Sequence, residues 1–113
     1  MFDLFATKTA YKKISPKEAT SHMENDKSVL LIDVRTSEEY QNDRIPNSIS
    51  VPLNNLKSLI EKVAPNKDTE LILYCQGGVR AATACNELAK MGYTNINNLG
   101  GIMSWPFDTV KGR

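Results

Sequence analysis

The sequence lacks a charge excess, has few cysteines and histidines, and has no long apolar run, and each shortage excludes a class of protein. Its 14 basic and 13 acidic residues leave a formal net charge of +1, which argues against the strongly basic surface of a nucleic-acid-binding protein. One histidine and two cysteines form no cluster with metal-ligand spacing. No apolar run approaches the roughly 18 residues of a membrane span. We therefore expect no nucleic-acid partner, no membrane partner and no metal.

The length and composition are those of a small globular domain. A chain of 113 residues, 41% hydrophobic and 24% charged, can bury a core without disulfides or metals. Two cysteines without a secretion signal favour a reducing compartment, so we expect a cytoplasmic protein. We predict that residues 1–9 form a partly ordered apolar arm, that residues 10–113 form a single domain, and that the protein is a monomer.

The most informative stretch runs from Leu71 to Arg80. Its first four residues are apolar and lie between a charged segment and glycines, a pattern typical of a strand buried on both faces. The segment 81–91 is rich in good helix formers and ends at Gly92, which suits a left-handed helix cap. This order predicts that Cys75 lies at the carboxyl end of a strand and faces a helix N-terminus.

That position favours a negative charge on the Cys75 sulfur. Free N–H groups and the helix dipole converge there, Gly77 and Gly78 let the backbone curl, and Arg80 adds a guanidinium suited to oxyanions. We interpret Cys75 as a nucleophile rather than a buried structural cysteine, because an inert cysteine requires no arginine on the same turn. The predicted site consists of the catalytic residue Cys75 and the binding residues Gln76, Gly77, Gly78, Val79 and Arg80.

Strand and helix signals alternate along the rest of the chain. This alternation predicts a three-layer α/β/α fold with a mostly parallel, five-stranded sheet. The sequences Ser15-Pro-Lys-Glu18 and Thr36-Ser-Glu-Glu39 are capping boxes that predict helix starts. The predicted strands are Tyr11–Ile14, Val29–Ile32, Ile49–Val51, Leu71–Tyr74 and a segment around Ile96, followed by a turn at Gly100-Gly101.

Asp33 and Arg35 follow the second predicted strand and should lie on the edge of the sheet where ligands bind. They could serve catalysis as an acid and a cation. We favour a supporting role, in which the strand-end carboxylate bonds nearby amides or an arginine and braces this edge.

Two other reactive side chains are expected outside the site. His22 lies on the first predicted helix, where a lone histidine is most often a solvated surface residue. Cys85 falls on the sheet-facing side of the helix after the loop, about 7 to 8 Å of helical rise beyond Arg80, which is poor geometry for a disulfide with Cys75.

The loop resembles the active-site loop of the rhodanese family, which has a cysteine, four further residues including a glycine, and often an arginine. The resemblance extends over about residues 10–106 through several ordered motifs. They are Leu31-Ile-Asp-Val-Arg35, Glu38-Glu-Tyr40, Arg44-Ile-Pro46, Val51-Pro-Leu53, and Asn98-Leu-Gly-Gly101 with Trp105.

The resemblance implies an enzyme that transfers a sulfane sulfur. The Cys75 thiolate would take the outer sulfur of thiosulfate, a persulfide or a polysulfide, and a thiol, a dithiol protein or, in an assay, cyanide would accept it. No organic cofactor would be required. Trp105 is expected in the core or in a pocket wall.

Two alternatives remain at the level of sequence. A phosphatase or arsenate reductase of related fold also uses a thiolate, a loop of amides and an arginine, but that pattern has five residues where this chain has four between Cys75 and Arg80. A non-enzymatic module could keep the fold to bind a partner or sense sulfide.

The chain departs from the family pattern at several positions. Asp43-Arg44 stands where glycine and histidine are usual, Asn47-Ser48 replaces glycine and alanine, and Ala81 replaces a frequent serine. Since Arg80 is the only charged residue inside the loop, we predict weak thiosulfate binding, seen as a high Michaelis constant.

Overall fold

A computed structural model of the protein describes residues 10–112, so the predicted arm at residues 1–9 lies outside the described residues. The described residues form four helices and seven strands, which mostly alternate along the sequence. The helices are α1 (Pro16–Asn25), α2 (Ser37–Asn42), α3 (Leu56–Val63) and α4 (Val79–Lys90), with 3-10 turns at Leu53–Asn55 and Ile102–Ser104. The strands are β1 (Lys12–Lys13), β2 (Leu30–Asp33), β3 (Asp43–Arg44), β4 (Ile49–Ser50), β5 (Leu71–Cys75), β6 (Ile96–Gly101) and β7 (Val110–Lys111).

The main sheet has the strand order β1-β6-β5-β2-β4, and its strand pairs are all parallel. β5 is central and buried on both faces, as its continuous apolar sequence predicts. Because side chains alternate along a strand, Leu73 and Cys75 belong to the core cluster that contains α3 and α4, whereas Tyr74 belongs to the cluster that contains α1. The predicted three-layer α/β/α fold is therefore confirmed.

The helix starts follow local capping chemistry. Ser15 and Glu18 form the predicted capping box of α1, and Thr36 and Glu39 form that of α2. α4 ends just before Gly92, whose φ of +100° is the left-handed conformation expected there. Within residues 10–112, no helix is long and apolar enough to cross a bilayer.

The structure differs from the predicted turn at Gly100-Gly101. Both glycines lie in β6 and pair with Tyr74 and Cys75 of β5, after a register shift at Leu73/Tyr74. The irregular register lets β6 continue to the carboxyl end of β5. Gly101 therefore lies beside Cys75 on the neighbouring strand.

A second, two-stranded sheet was not predicted. β3 pairs antiparallel with β7, with Asp43 opposite Lys111 and Arg44 opposite Val110. Arg44 donates hydrogen bonds to the carbonyl oxygens of Tyr40 and Gly112. Strands of two residues have no detectable periodicity, which explains why the sequence did not indicate them.

Trp105 lies in a pocket wall, one of its two expected positions. It is half-buried against the core cluster on the α1 side and meets the ring of Phe107 edge-on, with centroids 5.1 Å apart. With α1 and the start of β2 it lines a groove of about 670 Å³. No residue of the loop 75–80 lines this groove.

Candidate active site

The Cys75 sulfur lies at the carboxyl end of β5, against the N-terminus of α4. The backbone amides of Gly78 and Ala81 donate hydrogen bonds to its Sγ at 3.0 and 3.3 Å. Two amide donors and a helix N-terminus stabilise negative charge on the sulfur. The residue is only 1% exposed, so its sulfur is buried at the base of the loop.

The loop depends on two glycines for different reasons. Gly78 has a φ of +113° and is the N-cap of α4, a conformation that favours glycine. Gly101 of β6 has ordinary extended backbone, but a Cβ there would lie 2.8 Å from the Cα of Gly77 and closer still to the carbonyl oxygen of Gln76. β6 therefore lies against the loop backbone, and Gly101 is required for this close approach.

The other predicted loop residues point in different directions. Gln76 is exposed, its Oε1 accepts from Nη1 of Arg35 at 3.2 Å, and its carbonyl accepts from the Met103 amide at 3.3 Å. Val79 is 80% exposed on the first turn of α4. Gly77 is exposed and has open space around its Cβ position.

Arg80 is held by the carboxylate of Glu39, which the sequence indicated as a helix cap but not as a partner of Arg80. Its Nη1 and Nη2 donate to Oε1 and Oε2 of Glu39 at 2.8 and 3.1 Å. The hydrogen bond from Arg80 is the main cause that lowers the pKa of Glu39 to about 2, and the same bond raises the pKa of Arg80. Both groups are therefore charged at neutral pH.

The Glu39–Arg80 pair gives the stability of the fold a pH dependence. The Glu39 carboxyl has an ordinary pKa of 4.5 and a folded-state pKa of about 2. The pair therefore contributes stability above about pH 4.5, and this is lost as the pH falls through about 2. Because the two side chains are 31% and 36% exposed, we expect a contribution below about 1 kcal/mol.

Urea unfolding of the wild type and Glu39→Gln checks this expectation. The difference in their free energies of unfolding should be present at about pH 6 and shrink at about pH 3. An equal difference at both pH values would contradict it.

Asp33 and Arg35 form a buried ion pair beside the loop. Nη2 of Arg35 donates to Oδ2 of Asp33 at 2.8 Å, and the backbone amide of Arg35 donates to Oδ1 at 2.8 Å. Arg35 also donates to Oδ1 and the carbonyl of Asp43. Burial alone lowers the pKa of Arg35, but the hydrogen bond and charge of Asp33 outweigh it, so the net pKa is raised. The Asp33 carboxylate thus bonds a nearby amide and an arginine at this edge of the sheet, and its supporting role stays a prediction.

The two residues expected outside the site are not part of the loop 75–80, although Cys85 packs in the same core cluster as Cys75. Cys85 is fully buried and, like Cys75, is a free thiol; burial, with a smaller effect from Cys75, raises its pKa to about 12. His22 is exposed and pairs with Glu70 through Nδ1 at 2.5 Å. Among residues 10–112, no group of three or more acidic, histidine or cysteine side chains could hold a metal ion.

Sequence reasoning missed three contributors to the site. The Ala81 amide donates to the sulfur although Ala81 was assigned only to the following helix. Glu39 was recognised as a cap but not as the partner of Arg80. Gly101 was read as a turn residue, and only its packing against Gln76 explains why it is glycine. The Glu38-Glu-Tyr40 motif was the one available signal in the sequence that Glu39 contributes to the site.

The fold and the site define a class, a parallel α/β protein with a cysteine at the carboxyl end of its central strand, against the N-terminus of the next helix. The chain belongs to the rhodanese-like domain family, since the sequence model of that family matches residues 15–106. This finding confirms the family that the motifs indicated.

Two relatives and one solved structure illustrate the similarity. The chain is 36% identical over 81 residues to thiosulfate sulfurtransferase PspE of Escherichia coli (strain K12), covering 72% of this chain and 78% of that protein. It is 30% identical over 94 residues to a sulfurtransferase of Allochromatium vinosum, covering 82% and 86%. A structure described as a rhodanese with anions from E. coli matches with a TM-score of 0.67 at 33% identity, covering 74% of this chain and 99% of that chain. The names of both relatives support a sulfurtransferase.

Proposed function

We propose that this protein transfers a sulfane sulfur from a donor to a thiol acceptor through a persulfide on Cys75. The observation that carries the proposal is the pair of amides, from Gly78 and Ala81, that donate to the Cys75 sulfur at the end of β5. These donors stabilise an attacking thiolate and, after transfer, an anionic persulfide.

The reaction is a double displacement. The Cys75 thiolate attacks the outer sulfur of thiosulfate, the bond between the two sulfurs of the donor breaks, and sulfite leaves with the bonding electron pair. Cys75 then carries one additional sulfur as a persulfide anion. An acceptor thiolate attacks that outer sulfur, a new persulfide forms on the acceptor, and the Cys75 thiolate is regenerated.

The burial of Cys75 supports sulfur transfer over phosphoryl transfer. With 1% of the residue exposed, the sulfur is best approached by a single atom at the tip of a donor. A sulfane sulfur has this shape, whereas a tetrahedral phosphoryl group carries three further oxygens that need room and donors. The loop has four residues between Cys75 and Arg80, one fewer than the phosphatase pattern.

Mass spectrometry of the intact protein tests the proposal. After incubation with excess thiosulfate or an organic persulfide and removal of the donor, the wild type should gain the mass of one sulfur atom, and addition of dithiothreitol should remove it. Cys75→Ser should gain nothing, whereas Cys85→Ser should gain one sulfur as the wild type does. An unchanged wild-type mass with both donors would favour the non-enzymatic module.

A further inference from the structure

The cations at the candidate site are already paired with carboxylates. Arg80, the only charged residue of the loop, makes a two-pronged contact with Glu39. Arg35, which contacts the loop through Gln76, is paired with Asp33 and Asp43. The two guanidiniums that belong to or touch the loop therefore do not present an uncompensated positive charge to an incoming anion.

Glu39 does not depend on Arg80 for its position. Its Oε1 also accepts from the backbone amide and the hydroxyl of Thr36, at 2.9 and 3.1 Å, because it completes the capping box of α2. The carboxylate is thus fixed at a helix N-terminus that stabilises its charge. The Glu39 side chain is therefore not free to move into solvent when a donor anion approaches Arg80.

This arrangement discriminates between classes of donor. Thiosulfate is a dianion whose sulfonate group is bonded directly to the transferable sulfur, so it must share Arg80 with Glu39 and is repelled by the Glu39 carboxylate. An organic persulfide with an uncharged organic group carries at most one negative charge, on the sulfane sulfur itself, and has no charged group bonded to that sulfur. Binding of such a persulfide does not require Arg80 to be released from Glu39.

We propose, building on the proposed function, that Glu39 is a specificity-determining residue that selects against dianionic sulfur donors and in favour of organic persulfides. The first half-reaction with the favoured donor is balanced. The Cys75 thiolate attacks the outer sulfur of R–S–SH, the S–S bond of the donor breaks, the thiolate R–S⁻ leaves, and Cys75 carries S–SH.

Steady-state kinetics with two donors test the proposal. The probes are thiosulfate and the persulfide of 2-mercaptoethanol, with dithiothreitol as the acceptor. Glu39→Gln removes the charge but keeps an oxygen that can cap α2, because glutamine also serves in a capping box. Glu38→Gln is the matched control, since it makes the same charge change on the same helix. Glu38 is exposed and takes part in none of the ion pairs found within residues 10–112.

We expect Glu39→Gln to lower KM for thiosulfate by about fivefold at low salt, the effect of one partly exposed charge, with kcat changed by less than about twofold. KM for the persulfide should stay within about twofold of the wild-type value, and Glu38→Gln should change neither KM. The thiosulfate effect should diminish at about 1 M salt because screening weakens the repulsion.

Three results would overturn the proposal. The first is an unchanged or raised KM for thiosulfate in Glu39→Gln. The second is a parallel change with both donors, which would assign Glu39 to the structure of the loop rather than to donor selection. The third is a wild type that transfers sulfur from neither donor, which would overturn the proposed function and this inference together, whereas the first two leave the proposed function intact.

Discussion

Replacing Arg35 with alanine should lower the free energy of unfolding by about 3–5 kcal/mol, because the substitution leaves the Asp33 carboxylate buried without its partner. Asp33 is 0% exposed and Arg35 is 1% exposed. Loss of the guanidinium also removes the hydrogen bonds to Gln76 and Asp43, which link the end of β2 to the loop and to β3. Urea unfolding monitored by circular dichroism measures the change.

An exposed ion pair serves as the control for Arg35. Glu61 lies 3.1 Å from Nζ of Lys67 and is 61% exposed, so Glu61→Gln should cost less than about 1 kcal/mol. Arg35→Lys keeps the positive charge but not the planar guanidinium contact. Its loss in free energy of unfolding should lie between the losses of Arg35→Ala and Glu61→Gln. If Arg35→Lys and Arg35→Ala were both as stable as Glu61→Gln, the buried pair would not brace the site.

The second large effect is expected at Gly101. In Gly101→Ala the new Cβ meets backbone atoms of Gln76 and Gly77, and no side-chain rotation can relieve this contact. The loop or β6 must move by about 1 Å, and a displacement of that size can cost about 100-fold in rate. The added methyl group should also lower the free energy of unfolding by about 1–3 kcal/mol. Sulfur-transfer rates and urea unfolding of the variant measure both effects.

Gly77→Ala is the comparison for stability, because its new Cβ would meet no atom within 4 Å. Its free energy of unfolding should change by less than that of Gly101→Ala. Wild-type stability and rate in Gly101→Ala would show that the loop accommodates the methyl group, and would refute the close approach as the reason for this glycine.

The proposed chemistry and the donor selection rest on different parts of the site. The Cys75 sulfur accepts hydrogen bonds from backbone amides, which no side-chain substitution removes directly. The charge at the loop depends instead on the side chains of Arg80 and Glu39, and the proposal is that their pairing decides which anions can approach. We therefore expect Cys75→Ser to abolish the gain of sulfur in mass spectrometry, whereas Glu39→Gln should change only the KM for thiosulfate.

Much of the architecture could be predicted because its signals are local. The Ser15 and Thr36 capping boxes place hydrogen-bonding groups three residues apart, and the apolar run of β5 shows which strand is buried on both faces. The apolar run and the glycines that follow it also indicate that Cys75 lies at the carboxyl end of β5, before α4. Such features depend on neighbouring residues, so the sequence is enough to indicate them.

The contacts that complete the site could not be predicted in this way. Glu39 and Arg80 are 41 residues apart, as are Arg35 and Gln76, and β3 pairs with β7, which lies at the carboxyl end of the described residues. Each contact depends on which strands are neighbours and on their exact register, including the irregularity at Leu73/Tyr74.

The sequence by itself determined the main helices and strands of the three-layer fold and the family, and it predicted Cys75 as the candidate nucleophile. Tertiary structure alone decided that Glu39 engages Arg80, that Ala81 donates to the sulfur, and that Gly101 makes room for the loop. The physical reason is range: periodicity and capping operate within a few residues, whereas ion pairing and close backbone packing depend on distances that only the folded chain sets.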